Sequence, residues 1–173
     1  SKIEVIPHGY ACSTDAINIL QDISIKKSQS KIYGNDQKTV LFVNSRRYLR
    51  GVKGESNLRM LVKDLDVNSY EFQFCGKDRV IDAIYARNNG FAAVYKQPRS
   101  YLSSLELYAP ADLLLNLSWY EGGPANLPEA ISTLTPVITR RIAMAFDLYG
   151  TNYPGFFESY EDLYKKLVHW RNS

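Results

Sequence analysis

Residues 108–140 read YAPADLLLNLSWYEGGPANLPEAISTLTPVITR, and this stretch determines the expected fold. It opens with an apolar run over 112–118, which has the length of a strand buried on both faces of a parallel sheet. A turn follows, and then a helix that we expect Asn126 to cap. The chain re-enters a strand at 136–139. This order of elements predicts an α/β domain built on a doubly wound parallel sheet.

The turn between the strand and the helix predicts a site for an anionic ligand. Glycines at 122 and 123 let the backbone approach a ligand closely, because no Cβ intervenes. The start of the next helix offers free N–H groups and the positive end of the helix dipole, for which phosphate is a natural guest. In an open α/β sheet this place is the crevice beyond the carboxyl ends of the strands.

Two carboxylates around this turn carry a resemblance to a known family. Glu121 and Glu129 are separated by seven residues, and EGGPANLPEAISTLTPV resembles the E-x7-E region of retaining glycosyltransferases of family 4. In that family the region belongs to the C-terminal, nucleotide-sugar-binding half of a GT-B fold. The resemblance implies a Rossmann-like domain with helices on both faces of the sheet. Leu134 is a departure, because the family has a glycine or another small residue there.

The resemblance also implies a role for each residue of the motif. Glu121 would contact the donor sugar, and Glu129 would bind the ribose hydroxyls. The diphosphate would lie against the turn, which comprises Gly122, Gly123, Pro124, Ala125, Asn126 and Leu127.

A purely structural interpretation of the same residues is also open. Asn126 and Glu129 have the spacing of a capping box, in which each side chain bonds to the backbone at the other position. Glu121 could then be a solvated loop acid. A second motif, upstream in the sequence, favours the ligand-binding interpretation.

This second motif is a basic loop, SRRYLRGVKG at 45–54, which follows a predicted core strand at 38–44. Its four cations fit a diphosphate, since Arg offers a fork of donors and Lys a point charge. Arg47 and Lys53 keep the spacing of the family pattern G-R-x5-K-G, although Arg46 replaces its first glycine. The resemblance implies that Arg47 and Lys53 neutralise the departing diphosphate. By itself, the motif fits a solvated basic loop better, and it is the presence of both motifs in the family's order that favours a nucleotide-sugar site.

The nucleotide base is expected at the end of another strand, over 91–95. The segment at 96–99 is the counterpart of the segment that lines the base pocket in the family. We therefore expect Tyr95 or Lys96 near the base.

The rest of the chain is expected to complete one domain. Residues 1–37 would form an opening strand, a short helix at 16–22 and a polar linker from 23 to 37, and residues 38–173 would form the core. One predicted helix, at 78–89, should bury Val80, Ile81, Ile84 and Tyr85. Further strands are expected at 70–76 and 155–158, and further helices from 55, at 100–108 and at 160–170.

Composition narrows the class of protein. The 173 residues carry a net charge of +3 without a long basic run, which disfavours nucleic acid as a partner. Cys12 and Cys75 are far apart, and no metal-ligand pattern is present, so we expect neither a metal nor any other cofactor. Without a membrane span or a signal peptide, the chain is expected in the cytoplasm, with peripheral membrane association of the full-length protein left open.

The sequence thus predicts the donor-binding domain of an enzyme that transfers a hexose-type sugar from a nucleoside diphosphate sugar. The acceptor, a glycan or a lipid-linked group, is expected to bind an N-terminal domain that this chain lacks, so the chain alone should be inactive. Two alternatives remain open. One is a non-catalytic nucleotide-sugar-binding or scaffolding module, and the other is a different GT-B enzyme such as a sugar-nucleotide epimerase.

Overall fold

A computed structural model describes residues 13–29, 37–48 and 50–172. Within these residues, six strands form one sheet in the order β3-β2-β1-β4-β5-β6, and every neighbouring pair is parallel. The expected α/β class with a doubly wound parallel sheet is therefore confirmed. The strands are β1 (Thr39–Asn44), β2 (Tyr70–Cys75), β3 (Ala93–Lys96), β4 (Leu113–Asn116), β5 (Val137–Arg140) and β6 (Phe156–Phe157).

Helices cover both faces of the sheet. The helices α2, α3 and α7 pack against one face, and α5 and α6 pack against the other, where α1 and α4 form a further layer. Their bounds are α1 (Thr14–Gln29), α2 (Glu55–Asp64), α3 (Val80–Asn88), α4 (Tyr101–Leu105), α5 (Asn126–Ser132), α6 (Ala143–Tyr149) and α7 (Tyr160–Arg171), and a 3-10 turn spans Glu106–Tyr108.

The central strands are apolar because both of their faces are buried. In β4, Leu113 and Leu115 belong to the core on the α2 side, while Leu114 belongs to the core on the α5 side. All three are at most 1% exposed. Successive side chains of a strand point to opposite faces, so a strand covered on both sides needs apolar residues throughout.

The strand order reverses between β1 and β4. The chain moves outward from β1 to β3, returns to pair β4 with the other side of β1, and then moves outward again to β6. The helices that follow β1 and β4, α2 and α5, therefore leave toward opposite faces. Such a reversal opens a crevice at the carboxyl ends of the two strands, which is where ligands bind in this class of sheet.

The first helix is longer than expected. The sequence predicted a helix at 16–22 and a linker from 23, whereas α1 continues to Gln29. Its last turn is anchored by Lys27, whose Nζ donates to the Ala111 carbonyl at 2.6 Å and to Thr135 Oγ1 at 2.5 Å. The polar segment that was predicted to be a linker thus includes a half-buried lysine that anchors the helix. The expected strand at 2–7 and residues 30–36 of the linker lie outside the described residues.

The predicted orientation of α3 is wrong for three of the four residues expected to be buried, and of the four only Tyr85 packs against the core, half-buried. Val80, Ile81 and Ile84 are 39%, 47% and 47% exposed, whereas Asp82 is 2% exposed and Arg79, just before the helix, is fully buried. Arg79 donates through Nη1 to Asp82 at 2.7 Å, and through Nε and Nη2 to the carbonyl and hydroxyl of Ser45, at 2.9 and 2.7 Å. This buried ion pair turns the apolar side of the helix toward solvent.

Replacing Arg79 should test how strongly this pair stabilises the fold. Arg79→Ala should lower the free energy of unfolding by about 3 kcal/mol or more, because it leaves the Asp82 carboxylate buried without its main partner. Arg87→Ala is the matched control, since Arg87 is exposed on the same helix and its loss should cost no more than about 0.5 kcal/mol. Urea unfolding followed by circular dichroism measures both variants, and equal losses would contradict the assignment.

Candidate functional site

A cleft of about 640 Å³ lies at the carboxyl ends of the central strands. Its walls come from the loop after β1, the loop after β4 and the residues around the start of α6. The charged residues that line it are Lys53, Glu121 and Arg141. The cleft therefore occupies the crevice that the strand order creates.

Lys53 and Glu121 form a direct ion pair in this cleft, between Lys53 Nζ and Glu121 Oε1. The two side chains are 14% and 12% exposed, so the pair is mostly shielded and partly open to solvent. Partial desolvation strengthens electrostatic contacts relative to those at an open surface. The structure thus brings together two of the residues that the sequence predicted as catalytic.

Backbone contacts between the two loops position this pair. A Cβ at Gly54 would lie 2.3 Å from the Leu117 carbonyl oxygen, so only glycine permits this approach. Gly54 also has a φ of +76°, in the left-handed region that glycine adopts without strain. The Trp119 N–H donates to the Val52 carbonyl at 2.9 Å. Lys53 lies between Val52 and Gly54 in one loop, and Glu121 lies two residues after Trp119 in the other.

Glu55 fixes the conformation of the basic loop. This residue is 5% exposed, and its carboxylate accepts hydrogen bonds from the backbone N–H groups of Tyr48 and Lys53, at 3.0 and 3.1 Å. Arg79 Nη2 lies 3.9 Å from the same carboxylate. The buried charges behind the loop therefore hold its backbone and leave the Lys53 side chain directed at the cleft.

Arg47 is placed differently from Lys53. Its Nε lies 3.3 Å from Asp82 Oδ1, and it is not among the cleft-lining residues. The role that the sequence predicts for Arg47 at a diphosphate would require it to exchange Asp82 for a phosphate oxygen.

The glycine turn has room for a ligand. A Cβ at Gly122 or Gly123 would meet no atom within 4 Å, and neither residue needs a positive φ. The fold geometry therefore does not require glycine at either position, and both residues leave open space beside the turn. Ala125 is exposed, whereas Pro124 and Leu127 are buried, and the Leu127 N–H already donates to the Pro124 carbonyl at 3.3 Å.

Asn126 does not cap the helix, so that prediction is wrong. It is the first residue of α5, and the capping position is held by Ala125, without a side-chain bond. The Asn126 Nδ2 instead donates to the Asn44 carbonyl at the end of β1, at 2.8 Å. The side chain thus bridges the turn to the central strand, and the capping-box interpretation of Asn126 and Glu129 does not hold.

Glu129 is buried beneath the turn, with only 4% of its surface exposed. Its Oε2 accepts a hydrogen bond from the Tyr108 hydroxyl at 2.8 Å, and Tyr101 donates a second one. Burial raises the pKa of Glu129 to about 7, and the two hydrogen bonds act in the opposite direction. The carboxyl therefore titrates near neutral pH and is covered by Tyr101.

The two residues predicted near the base lie on the other side of β1, at the edge strand β3. Tyr95 is half-buried and donates from its hydroxyl to Gln97 Oε1 at 3.3 Å, and Lys96 is exposed. Two strands separate β3 from β4, which puts these residues about 10 Å or more from the Glu121 loop. That distance is compatible with one elongated ligand and leaves their role a prediction.

Among the cleft residues that the sequence did not single out are Tyr48, Trp119 and Arg141. The Tyr48 ring lies between two cations, with Arg46 Cζ at 5.8 Å and Lys53 Nζ at 5.7 Å from its centroid. Arg141 Nε pairs with Glu158 Oε1 at 3.0 Å. All three residues come soon after the carboxyl end of a central strand, and this position was the signal available in the sequence.

Comparison with known proteins supports the fold. No protein-family model and no curated protein sequence matches the chain. Among solved structures, the apo form of WaaB, a lipopolysaccharide outer core galactosyltransferase, is similar with a TM-score of 0.62 and 18% sequence identity. The match covers 76% of this chain and 40% of that one, so this chain corresponds to less than half of the galactosyltransferase. At this identity the likeness shows a shared Rossmann-like α/β fold and no more.

The described residues contain neither a metal-ligand cluster nor a membrane-spanning helix. Over residues 13–29, 37–48 and 50–172, no group of three or more His, Cys, Asp or Glu side chains is arranged to hold a metal ion. Among the helices of the same residues, none is long and apolar enough to cross a membrane.

The buried Glu129 carboxyl should make stability depend on pH. Its pKa rises from 4.5 to about 7 on folding, so the folded state holds the proton more tightly than the unfolded state. The associated stability is present below about pH 4.5 and is lost as the pH rises through about 7. Glu129→Gln cannot ionise and should lose this dependence.

Urea unfolding of both proteins at about pH 5 and about pH 8 measures the effect. The stability of the wild type relative to Glu129→Gln should fall by about 2–3 kcal/mol over this range. All other titrating groups are common to the two proteins and cancel in the difference. A difference that stays constant with pH would contradict the buried, titrating carboxyl.

Proposed function

We propose that this chain is the donor-binding domain of a retaining GT-B glycosyltransferase of the family 4 type. The proposal rests on one observation above all. Lys53 and Glu121, from loops far apart in the sequence, meet in a cleft at the topological switch point, next to a glycine turn that faces open space. The similarity to a galactosyltransferase fold and the E-x7-E resemblance support the same reading.

The diphosphate of the donor would bind between Lys53 and the glycine turn. Lys53 supplies a positive charge, and the exposed backbone at Gly122 and Gly123 can approach a phosphate closely. The Asn126 side chain is engaged with Asn44, so α5 begins without a side-chain cap. The Leu127 N–H already donates to the Pro124 carbonyl and Pro128 has no N–H, so the phosphate would lie mainly against Lys53 and the glycine turn.

Glu121 would orient the sugar. In the unliganded cleft its carboxylate pairs with Lys53, and a phosphate bound at Lys53 would compete for that ammonium group. The carboxylate would then turn to the sugar hydroxyls as a hydrogen-bond acceptor. During transfer the bond between the sugar and the diphosphate breaks, and Lys53 would stabilise the negative charge that develops on the leaving group.

Two further roles follow from the same proposal. Arg47 would release Asp82 and join Lys53 at the diphosphate, while Arg79 keeps Asp82 paired. Glu129 would bind the ribose hydroxyls after Tyr101 gives up its hydrogen bond to the carboxylate. Tyr95 and Lys96, at the far edge of the site, would contact the base.

In this proposal the sugar acceptor binds to a second domain and not to this chain. The matched galactosyltransferase is longer than the matched region, since only 40% of it is covered. A second domain would bind a glycan or lipid-linked acceptor and close over the cleft, and transfer would need both domains. We further propose a cytoplasmic location, with peripheral association with a membrane where the acceptor is lipid-linked.

Calorimetric titration with UDP, GDP and ADP tests the diphosphate site. One of the three should bind, and Lys53→Ala should weaken that binding by at least about tenfold, because it removes a charge-assisted contact and leaves Glu121 facing the anion. Lys166→Ala is the matched control: it removes the same charge at the opposite end of the sheet and should leave the affinity unchanged. An equal effect of both variants would overturn the assignment of Lys53.

Glu121→Gln should affect binding of the sugar and of the diphosphate of the donor differently. The affinity for the nucleoside diphosphate alone should stay the same or rise, since the variant frees Lys53 from its ion pair. The extra affinity contributed by the sugar should fall about tenfold, because a carboxylate accepts stronger hydrogen bonds than an amide. The same calorimetric titrations, run with each sugar nucleotide, measure both effects. Loss of diphosphate binding in this variant would instead place Glu121 at the phosphates.

A further inference from the structure

The cleft carries three exposed aromatic side chains that the proposed diphosphate contacts leave unused. Tyr48, Trp119 and Tyr120 are 42%, 45% and 79% exposed, and all three line the cleft. Large aromatic groups that a protein leaves open to solvent beside charged residues indicate an interaction surface. We call these three residues the aromatic wall of the cleft. A ligand group that fits this wall has an apolar face, which contacts the rings, and polar edges, which contact the charged residues.

Trp119 is the most firmly held of the three. The guanidinium of Arg140 covers one face of the indole, with Cζ 3.4 Å from the ring centroid, and the same Cζ lies 4.8 Å from the centroid of the Phe157 ring. Arg140 is itself fixed by a hydrogen bond from Nη1 to the Glu158 carbonyl, at 3.2 Å. The backbone N–H of Trp119 donates a hydrogen bond to the Val52 carbonyl. A ring held in this way loses little conformational entropy when a ligand stacks on it.

A pyranose ring matches the chemistry of this wall. Its C–H faces are apolar and stack on aromatic rings, and its edges carry hydroxyl groups that need hydrogen-bond partners. Glu121 and Arg141 line the same cleft and supply an acceptor and donors. A lipid chain would instead strip water from these charged groups without replacing their hydrogen bonds.

The position of the wall also favours a sugar over a nucleotide base. The residues expected near the base lie at β3, whereas Trp119 and Arg141 follow β4 and β5, on the opposite side of Lys53. A donor whose diphosphate lies at Lys53, with its base toward β3, directs its sugar toward Trp119.

We infer that Trp119 is a stacking platform for a pyranose ring and helps to determine which sugar the site accepts. This inference rests on the proposed function, since it takes the direction of the donor from it. The ring belongs either to the donor or to an acceptor saccharide, and both present the same C–H face to the indole.

Single-tryptophan fluorescence provides the test. Trp119 and Trp170 are the only tryptophans of the chain, and Trp170 lies beside the opposite end of the sheet, so the emission of Trp170→Phe reports on Trp119 alone. This protein is titrated with UDP, GDP and ADP, with UDP-galactose, UDP-glucose, GDP-mannose and ADP-glucose, and with free lactose and maltose. Calorimetry on Trp119→Ala and Trp119→Phe in the wild-type background gives the affinities.

A sugar-bearing ligand should change the Trp119 emission, and Trp119→Ala should weaken its binding about three- to tenfold while Trp119→Phe retains most of it. Binding of the sugar-free nucleoside diphosphate should be the same in all three proteins. A response to sugar nucleotides assigns the ring to the donor, and a response to lactose or maltose assigns it to the acceptor.

The two proposals fail in different ways. In one outcome a nucleoside diphosphate binds, Trp119→Ala leaves the affinity contributed by the sugar unchanged, and no free saccharide alters the emission. The stacking role of Trp119 is then wrong, and the proposed donor site is supported. If no nucleotide binds, the proposed function fails, and the free saccharides alone decide whether Trp119 stacks on a sugar.

Discussion

The close approach of Gly54 to Leu117 is the contact on which the candidate site depends. The two residues belong to the loops that leave β1 and β4, the pair of strands between which the sheet reverses its order. No residue other than glycine fits at position 54, because a Cβ would lie 2.3 Å from the Leu117 carbonyl oxygen. Once the loops touch here, Lys53 and Glu121 are forced into one cleft. The loop contact thereby places a specific pair of charges in the crevice that this class of sheet forms where its strand order reverses.

The charged residues around the basic loop fall into two sets. One set is buried against the core, and the other is partly exposed in the cleft. Arg79, Asp82 and Glu55 are nearly or fully buried and hold the backbone of the basic loop. Lys53 and Glu121 remain partly exposed in the cleft. Buried ion pairs contribute little net stability but are costly to break, so they suit the task of fixing a loop. The exposed pair can exchange partners when an anion arrives.

Much of the fold could be predicted from the sequence, because strands buried on both faces leave long apolar runs such as 112–118. The resemblance implied that Lys53 and Glu121 serve the same ligand, but the ion pair between them was not predicted. The orientation of α3 was not predicted correctly, because apolar periodicity does not register a buried Arg79–Asp82 pair. The role of Asn126 was missed for a similar reason. Its partner, the Asn44 carbonyl, is remote in sequence, and a local capping pattern cannot reveal it.

The most direct test of the account is to locate nucleotide binding on the chain by backbone amide NMR. Spectra of the uniformly labelled protein are compared with and without the nucleoside diphosphate that binds best. The shifts should be concentrated in residues 45–54 and 118–126, on both sides of the Gly54–Leu117 contact. Shifts centred on the groove between α7 and the starts of β4 and β5 would contradict the account, as would the absence of any shift at saturating nucleotide.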